Sequence, residues 1–179
     1  MSASFALLGI VGQQPTYGYE LKRNYDALFG KEKPLAFGQV YATLSRLLRD
    51  SKVTTGATEQ TAGPARKKYT LTAKGHAELE AWLALPEDMH AEGRPIIFTK
   101  VITAILVDAS PNDYLDIQRA THITRMRELI EQRRKNDLPQ LLQADYALFH
   151  LEADLRWIDS TAARLDELIK EVREAQHGR

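Results

Sequence analysis

The stretch Ala36-Phe37-Gly38-Gln39-Val40-Tyr41-Ala42-Thr43-Leu44-Ser45-Arg46-Leu47-Leu48-Arg49-Asp50 decides how this chain is read. Val40, Leu44, Leu47 and Leu48 recur at helical spacing, so the segment is predicted to be a helix with one buried face. Its other side presents Gln39, Ala42, Arg46 and Arg49, with Tyr41 on the flank. A helix with a polar outer face fits the major groove of duplex DNA, about 12 Å wide. There a glutamine can pair with adenine, and an arginine with guanine or a phosphate, which makes Gln39 and Arg46 candidate readers.

The segments on either side support a DNA-binding head. Upstream, Phe5 to Val11 reads as a short apolar helix broken by Gly12 and Pro15. Thr16 is placed to cap a second helix, whose stripe is Tyr17, Leu21, Tyr25 and Leu28. Downstream, Val53-Thr54-Thr55 and Lys68-Tyr69-Thr70-Leu71-Thr72 are β-prone runs, separated by a long loop ending in Gly63-Pro64. The cations Arg66, Lys67 and Lys68 beside Tyr69 are placed to clamp backbone phosphates. A further helix runs from about Thr72 to Leu85, with Leu79, Trp82 and Leu83 inward. The order helix, helix, helix, strand, loop, strand, helix is that of a winged helix-turn-helix.

Residues 86–95 contain Pro86, Gly93 and Pro95 and read as a linker. Residues 96–179 read as helical throughout, with Ser110-Pro111-Asn112-Asp113 a strong helix start. Leu148, Leu151, Leu155, Ile158, Ala162, Leu165, Ile169 and Val172 alternate in steps of three and four. That is a heptad seam, and it predicts a coiled-coil-like final helix that either packs within its own chain or, the reading favoured behind a DNA-binding head, joins two copies as a dimer. The expected organisation is a head at 1–85, a linker at 86–95 and a helical dimerisation domain at 96–179. The expected fold class is mainly α with a small two-stranded wing.

Charge divides along the chain in the same way. The net charge is zero, but residues 1–76 hold 11 Lys and Arg against 5 Asp and Glu, while residues 77–179 hold 13 against 19. A basic half implies a polyanionic partner. There is no cysteine, which excludes disulfides, thiol catalysis and Cys-type zinc sites. His76, His90, His122, His150 and His177 show no metal-ligand spacing, and no phosphate loop, nucleophile elbow or paired-carboxylate signature occurs. No enzyme activity, metal or cofactor is expected. The apolar runs fall short of the ~20 residues that span a bilayer, and the N-terminus lacks a signal-peptide pattern. A cytoplasmic location is the expectation.

Three segments together resemble the PadR family of regulators. Tyr17-Gly18-Tyr19-Glu20-Leu21 is similar to its second-helix motif. Gly38-Gln39-Val40-Tyr41 with Leu44, Arg46 and Leu47 resembles its recognition helix. Gly63-Pro64, Arg66-Lys67-Lys68-Tyr69 and Leu71-Thr72 through Gly75 resemble its wing. Leu155-Arg156-Trp157-Ile158 looks like its final dimerisation helix, and the length matches the longer subgroup. The sequence departs from the family pattern at Ala36, where a capping Ser or Thr is common, at Leu48, and at Ser51, where Gly often ends the helix.

The resemblance implies a homodimeric repressor on a double-stranded operator. It places Tyr17 and Tyr19 on phosphates, Gln39, Tyr41 and Arg46 in or beside the groove, and Arg66, Lys67, Lys68 and Tyr69 in the wing contacts. Tyr17 and Tyr41 read equally as core aromatics. Trp157 joins the heptad residues as a dimerisation candidate. A small aromatic or hydrophobic effector is also implied, with Trp82, Phe98, Tyr114 and Trp157 as candidate walls. The alternative is a winged-helix module that docks protein and does not bind DNA.

Overall fold

The computed structural model describes residues 2–29, 34–56, 67–87, 96–133 and 137–177. The elements run α1 (Ser2–Gln13), β1 (Thr16–Tyr17), α2 (Gly18–Phe29), α3 (Phe37–Arg49), β2 (Val53–Thr55), β3 (Lys68–Leu71), α4 (Ala73–Ala84), α5 (Ile96–Leu106), α6 (Pro111–Arg133), α7 (Leu138–Ala162) and α8 (Leu165–His177). They form two compact units. The first comprises Met1–Leu85 with Ile97–Ala109, and the second Pro86–Ile96 with Ser110–Arg179. Helix α5 therefore folds with the head, and not with the helical domain that was expected to begin at residue 96.

In the first unit α1 packs on α2, β3 and α4, and α2 packs on α3. Leu7, Leu8, Leu21, Tyr25, Val40, Leu44, Leu47 and Leu79 form its buried centre. Helix α1 is longer than the expected turn or two because its two glycines are contact points rather than breaks. A Cβ on Gly9 would lie 2.7 Å from the Thr103 methyl, and one on Gly12 3.1 Å from Val107, so α5 presses closely on α1. Lys100 of α5 is wholly buried. Its ammonium donates to the Leu85 carbonyl and sits 5.0 Å from the Trp82 ring centroid, which answers part of the cost of burying a charge.

The sheet has three strands in the order β1-β3-β2, all antiparallel, and not the two expected. Thr16 and Tyr17 pair with Tyr69 and Lys68, and Val53 to Thr55 pair with Leu71 to Tyr69. Thr16 is thus a strand residue as well as part of a cap. Its hydroxyl and the Tyr17 amide both donate to the Glu20 carboxylate, at 3.0 and 3.2 Å, closing the start of α2. Burial works against ionisation of Glu20, but these bonds, one from the Tyr19 hydroxyl and the charge of Arg23 outweigh it and lower its pKa.

Helix α3 ends in a Schellman motif: the Lys52 amide donates to the Leu47 carbonyl at 2.9 Å and the Ser51 amide to Leu48 at 3.0 Å. The motif requires a left-handed residue, and Ser51 has φ 57°. The absence of the usual glycine at this position therefore leaves the backbone shape intact and stores strain in a serine. Ser51→Gly is expected to stabilise the chain by about 0.5–1 kcal/mol, read as a rise in urea midpoint at unchanged slope.

In the second unit α6 and α7 form an antiparallel hairpin. Arg119 meets Asp159 at 2.7 Å, His122 meets Asp154 at 3.4 Å and Arg133 meets Asp145 at 3.1 Å, a register that climbs one helix while descending the other. Leu129, Ala144, Leu148 and Leu151 make its core, with Met126 and Ala147 at the edge. The Ser110 hydroxyl accepts from the Asp113 amide at 3.2 Å, the cap expected there. The predicted final helix is two helices. The chain turns at Ala163 and Arg164, where the Arg164 amide bonds the Thr161 carbonyl three residues back, and α8 begins at Leu165.

A polar chain crosses the second unit. The wholly buried Gln118 accepts from the Glu87 amide at 2.7 Å and donates to the Glu87 carbonyl at 2.9 Å, so it fastens the backbone at Glu87. It also accepts from the buried Tyr114 hydroxyl at 3.2 Å, and its amide nitrogen lies 3.4 Å from His122 Nδ1. Burial lowers the His122 pKa, against the pull of the Asp154 carboxylate. The folded chain therefore takes up a proton at His122 less readily than the unfolded chain, which protonates it near pH 6.5. Below that pH the unfolded state binds the extra proton, so stability falls as the pH drops through and below this range. His122→Gln is expected to remove that part of the loss, measured as urea midpoints across the acid range.

Candidate nucleic-acid interface

Helix α3 is positioned by its own amphipathicity. Val40, Thr43, Leu44 and Leu47 are buried, while Phe37, Gly38, Gln39, Tyr41, Ala42, Ser45, Arg46 and Arg49 are exposed. Leu48, expected in the stripe, is half-buried at its margin. The helix start is closed without a capping side chain at Ala36: Gln39 reaches back, its Oε1 accepting from the Ala36 amide at 3.1 Å. Gln39 thus lies on the outer face as expected, but its carbonyl oxygen already serves the helix. Bidentate pairing with N6 and N7 of an adenine would call on that same oxygen. Arg46 is exposed one turn beyond Ala42, on the same side.

Tyr41, 46% exposed, stands at the junction of α3 with the start of α2. A Cβ on Gly18 would come within 2.8 Å of the Tyr41 ring. The glycine of the Tyr17-Gly18-Tyr19 motif is thus the seat of the Tyr41 side chain. Tyr17 and Tyr19 stack with ring centroids 6.1 Å apart, and the Lys68 ammonium lies 5.7 Å from the Tyr17 ring centroid. Tyr17 is half-buried and Tyr19 exposed, with its hydroxyl on Glu20 Oε1 at 3.1 Å.

The wing candidates separate. Lys67 is exposed and Lys68 half-buried beside Tyr17. Tyr69, expected among the wing contacts, is 6% exposed and packs inward, because alternate residues of a strand face opposite sides. Burial and the neighbouring Tyr41 raise the pKa of its phenol. Arg66 lies outside the described residues. The sequence reading missed Phe37 and Lys22. Phe37 is 53% exposed at the first position of α3, and the Lys22 ammonium of α2 sits 5.0 Å from its ring centroid. An apolar residue before a glycine gave no signal, since only the folded helix shows it pointing outward.

The effector candidates fall two in each unit. Trp82 is half-buried and stacks flat on Phe5 at 4.6 Å, and Phe98 is half-buried in α5. Tyr114 is buried and bonded to Gln118, and Trp157 is half-buried in α7. Among the described residues no group of three or more His, Cys, Asp or Glu could hold a metal ion, and no helix is long and apolar enough to cross a membrane.

Comparison with known proteins fits this arrangement. The model of the transcriptional regulator PadR-like family matches residues 7–81, from within α1 to within α4. A Mycobacterium tuberculosis protein, probable transcriptional regulator Rv1176c, is 30% identical over 129 residues, covering 71% of this chain and 68% of its own. The chain belongs to the PadR-like family of transcriptional regulators. It is accordingly a regulator and not an enzyme. Among solved structures, Bacillus subtilis PadR in complex with operator DNA is 21% identical, with coverage of 88% of this PadR-like chain and 96% of that one and a TM-score of 0.46. The Vibrio cholerae virulence activator AphA is 19% identical, with coverage of 93% and 99% and a TM-score of 0.39.

Proposed function

We propose that this PadR-like regulator binds duplex DNA as a homodimer, acts as a repressor in the cytoplasm, and reads its operator with α3 while the wing lysines hold the backbone. The observation that carries the reading is the outer face of α3, where Phe37, Gly38, Gln39, Tyr41, Ala42, Ser45, Arg46 and Arg49 are exposed to solvent, together with an exposed Lys67 and with Lys68 over the Tyr17 ring. Exposed residues at the N-terminal end of a recognition helix are those that reach base edges. Lys67, Lys68, Tyr17 and Tyr19 are suited to phosphates, and Gln39, Tyr41 and Arg46 to the groove.

The dimer part of the proposal rests on a different face from the heptad seam. Leu148, Leu151, Ile158, Leu165 and Val172 are buried within a single chain, and Leu155, Trp157, Ala162 and Ile169 are half-buried, so the seam is largely occupied already. Leu138, Leu142, Tyr146 and Phe149 remain 59–68% exposed along one side of α7. Large apolar residues grouped in this way support association with a second copy.

Release by a small aromatic or hydrophobic effector completes the proposal, with Trp82, Phe98 and Trp157 as the supporting surfaces. Trp82 and Trp157 are the chain's two tryptophans, so their fluorescence reports any such ligand. Selection of bound duplexes from a random pool tests the DNA reading. The expected product is an inverted repeat with half-sites about 34–36 Å apart. A pool that shows no enrichment contradicts it.

A further inference from the structure

The outer face of α3 has an apolar side that the polar readers do not explain. Phe37 is 53% exposed at its first position, where an aromatic ring gains nothing from water. The ring is also held rather than loose. The Asp26 carboxylate pairs with Lys22, and its Oδ1 accepts from the Leu35 amide at 3.1 Å, fixing the segment that enters α3. The Lys22 ammonium then lies 5.0 Å from the Phe37 ring centroid.

The next residue is the second observation. A Cβ on Gly38 would meet nothing within 4 Å, in contrast to Gly9, Gly18 and Gly75, which are pressed by neighbours. Glycine weakens a helix relative to alanine, and nothing inside this chain requires it here. What it provides is a bare stretch of backbone that an outside surface can approach. Ala42 lies one turn further on the same face, exposed and small. Gly38 and Ala42 thus leave a bare strip on the outer face, with Tyr41 between it and Phe37 and with Gln39 on its far side.

In the major groove the one apolar group on a base edge is the 5-methyl of thymine, and phenylalanine and alanine are side chains that contact it. We propose that Phe37 and Ala42 read thymine methyl groups, making Phe37 a specificity-determining residue of this regulator. The inference rests on the DNA reading above and adds the base class recognised by this end of the helix. Lys22 and Asp26 are positioning residues for the ring.

The test uses the full chain and duplexes recovered from the random pool. Each thymine in turn is replaced by deoxyuridine, which removes the methyl and leaves every hydrogen-bonding group. For the natural chain, one or two positions per half-site should lose about fourfold in affinity, the worth of one buried methyl-sized group. Phe37→Ala should lose that sensitivity at one position per half-site, the one its ring covers, while keeping the natural salt dependence, and Phe37→Leu should keep part of it. Phe37 is exposed, so thermal unfolding of both variants should match the natural chain. Equal deoxyuridine penalties in the natural chain and Phe37→Ala, or no sensitive thymine at all, would overturn the inference while leaving DNA binding intact. A natural chain with no salt-dependent affinity for any duplex overturns the DNA reading, and this inference with it.

Discussion

Gly75→Ala is expected to destabilise the first unit by about 3 kcal/mol, enough to lower its urea midpoint sharply and to weaken whatever the wing holds. The added methyl carbon would lie 2.1 Å from the Lys52 carbonyl oxygen and 2.7 Å from a Leu71 methyl. That carbonyl cannot simply swing aside. It accepts from the Thr72 amide at 3.1 Å and from the Thr72 hydroxyl at 3.0 Å. The same hydroxyl oxygen caps α4 by accepting from the Gly75 amide at 3.0 Å. Making room therefore means parting α4 from the turn that leads from α3 into β2, with the cap lost as well. Gly38→Ala is the control, since open space surrounds that position. It should leave stability unchanged or raise it by up to about 1 kcal/mol.

The second large effect separates two residues two positions apart on α7. Leu151 is wholly buried, whereas Phe149 is 68% exposed. Leu151→Asp places a carboxylate in the α6–α7 core without a partner, at a cost of several kcal/mol, and should unfold the second unit. Phe149→Asp should leave each chain folded, with unchanged helix content. If the exposed side of α7 is the dimer face, it should weaken association by about 3 kcal/mol or more, because an aromatic anchor is lost and a charge must be desolvated. Sedimentation at equal concentrations distinguishes the two. A Phe149→Asp chain that still sediments as the natural one does would move the dimer face elsewhere.

Local, strongly periodic features were legible in the sequence. The α3 stripe, the Ser110 cap and the helical character of the second unit depend on residues within a few positions of one another, and the structure has all three. Features that depend on distant partners were not legible. Strand β1 is two residues long and exists because Thr16 and Tyr17 pair with a strand about fifty positions away. The same residues read locally as a helix cap, and Thr16 does bond Glu20 in that way. Tyr69 looked like part of a basic cluster until strand alternation turned it inward.

The heptad pattern shows the limit of periodicity most clearly. Its period is kept from Leu148 to Val172 although the helix turns at Ala163 and Arg164, since a single turn between helices can preserve spacing. Periodicity also says that a face is buried, not what covers it. Much of that face is occupied within the one chain. The side of α7 left uncovered carries Leu138, Leu142, Tyr146 and Phe149, residues the seam did not contain. In α3 the same limit hid Phe37, an apolar residue that the folded helix turns outward.

The central claim, that the outer face of α3 and the wing lysines grip duplex DNA, is tested most directly by salt. Affinity for a recovered duplex and for a random one is measured across a range of salt concentrations, for the natural chain and for Lys67→Ala/Lys68→Ala. Phosphate contacts release counterions, so the logarithm of affinity should fall linearly with the logarithm of salt. The double variant should bind both duplexes more weakly and lose about two units of that slope, one for each lysine. An unchanged slope in the double variant, or binding by the natural chain that salt does not weaken, would contradict the account.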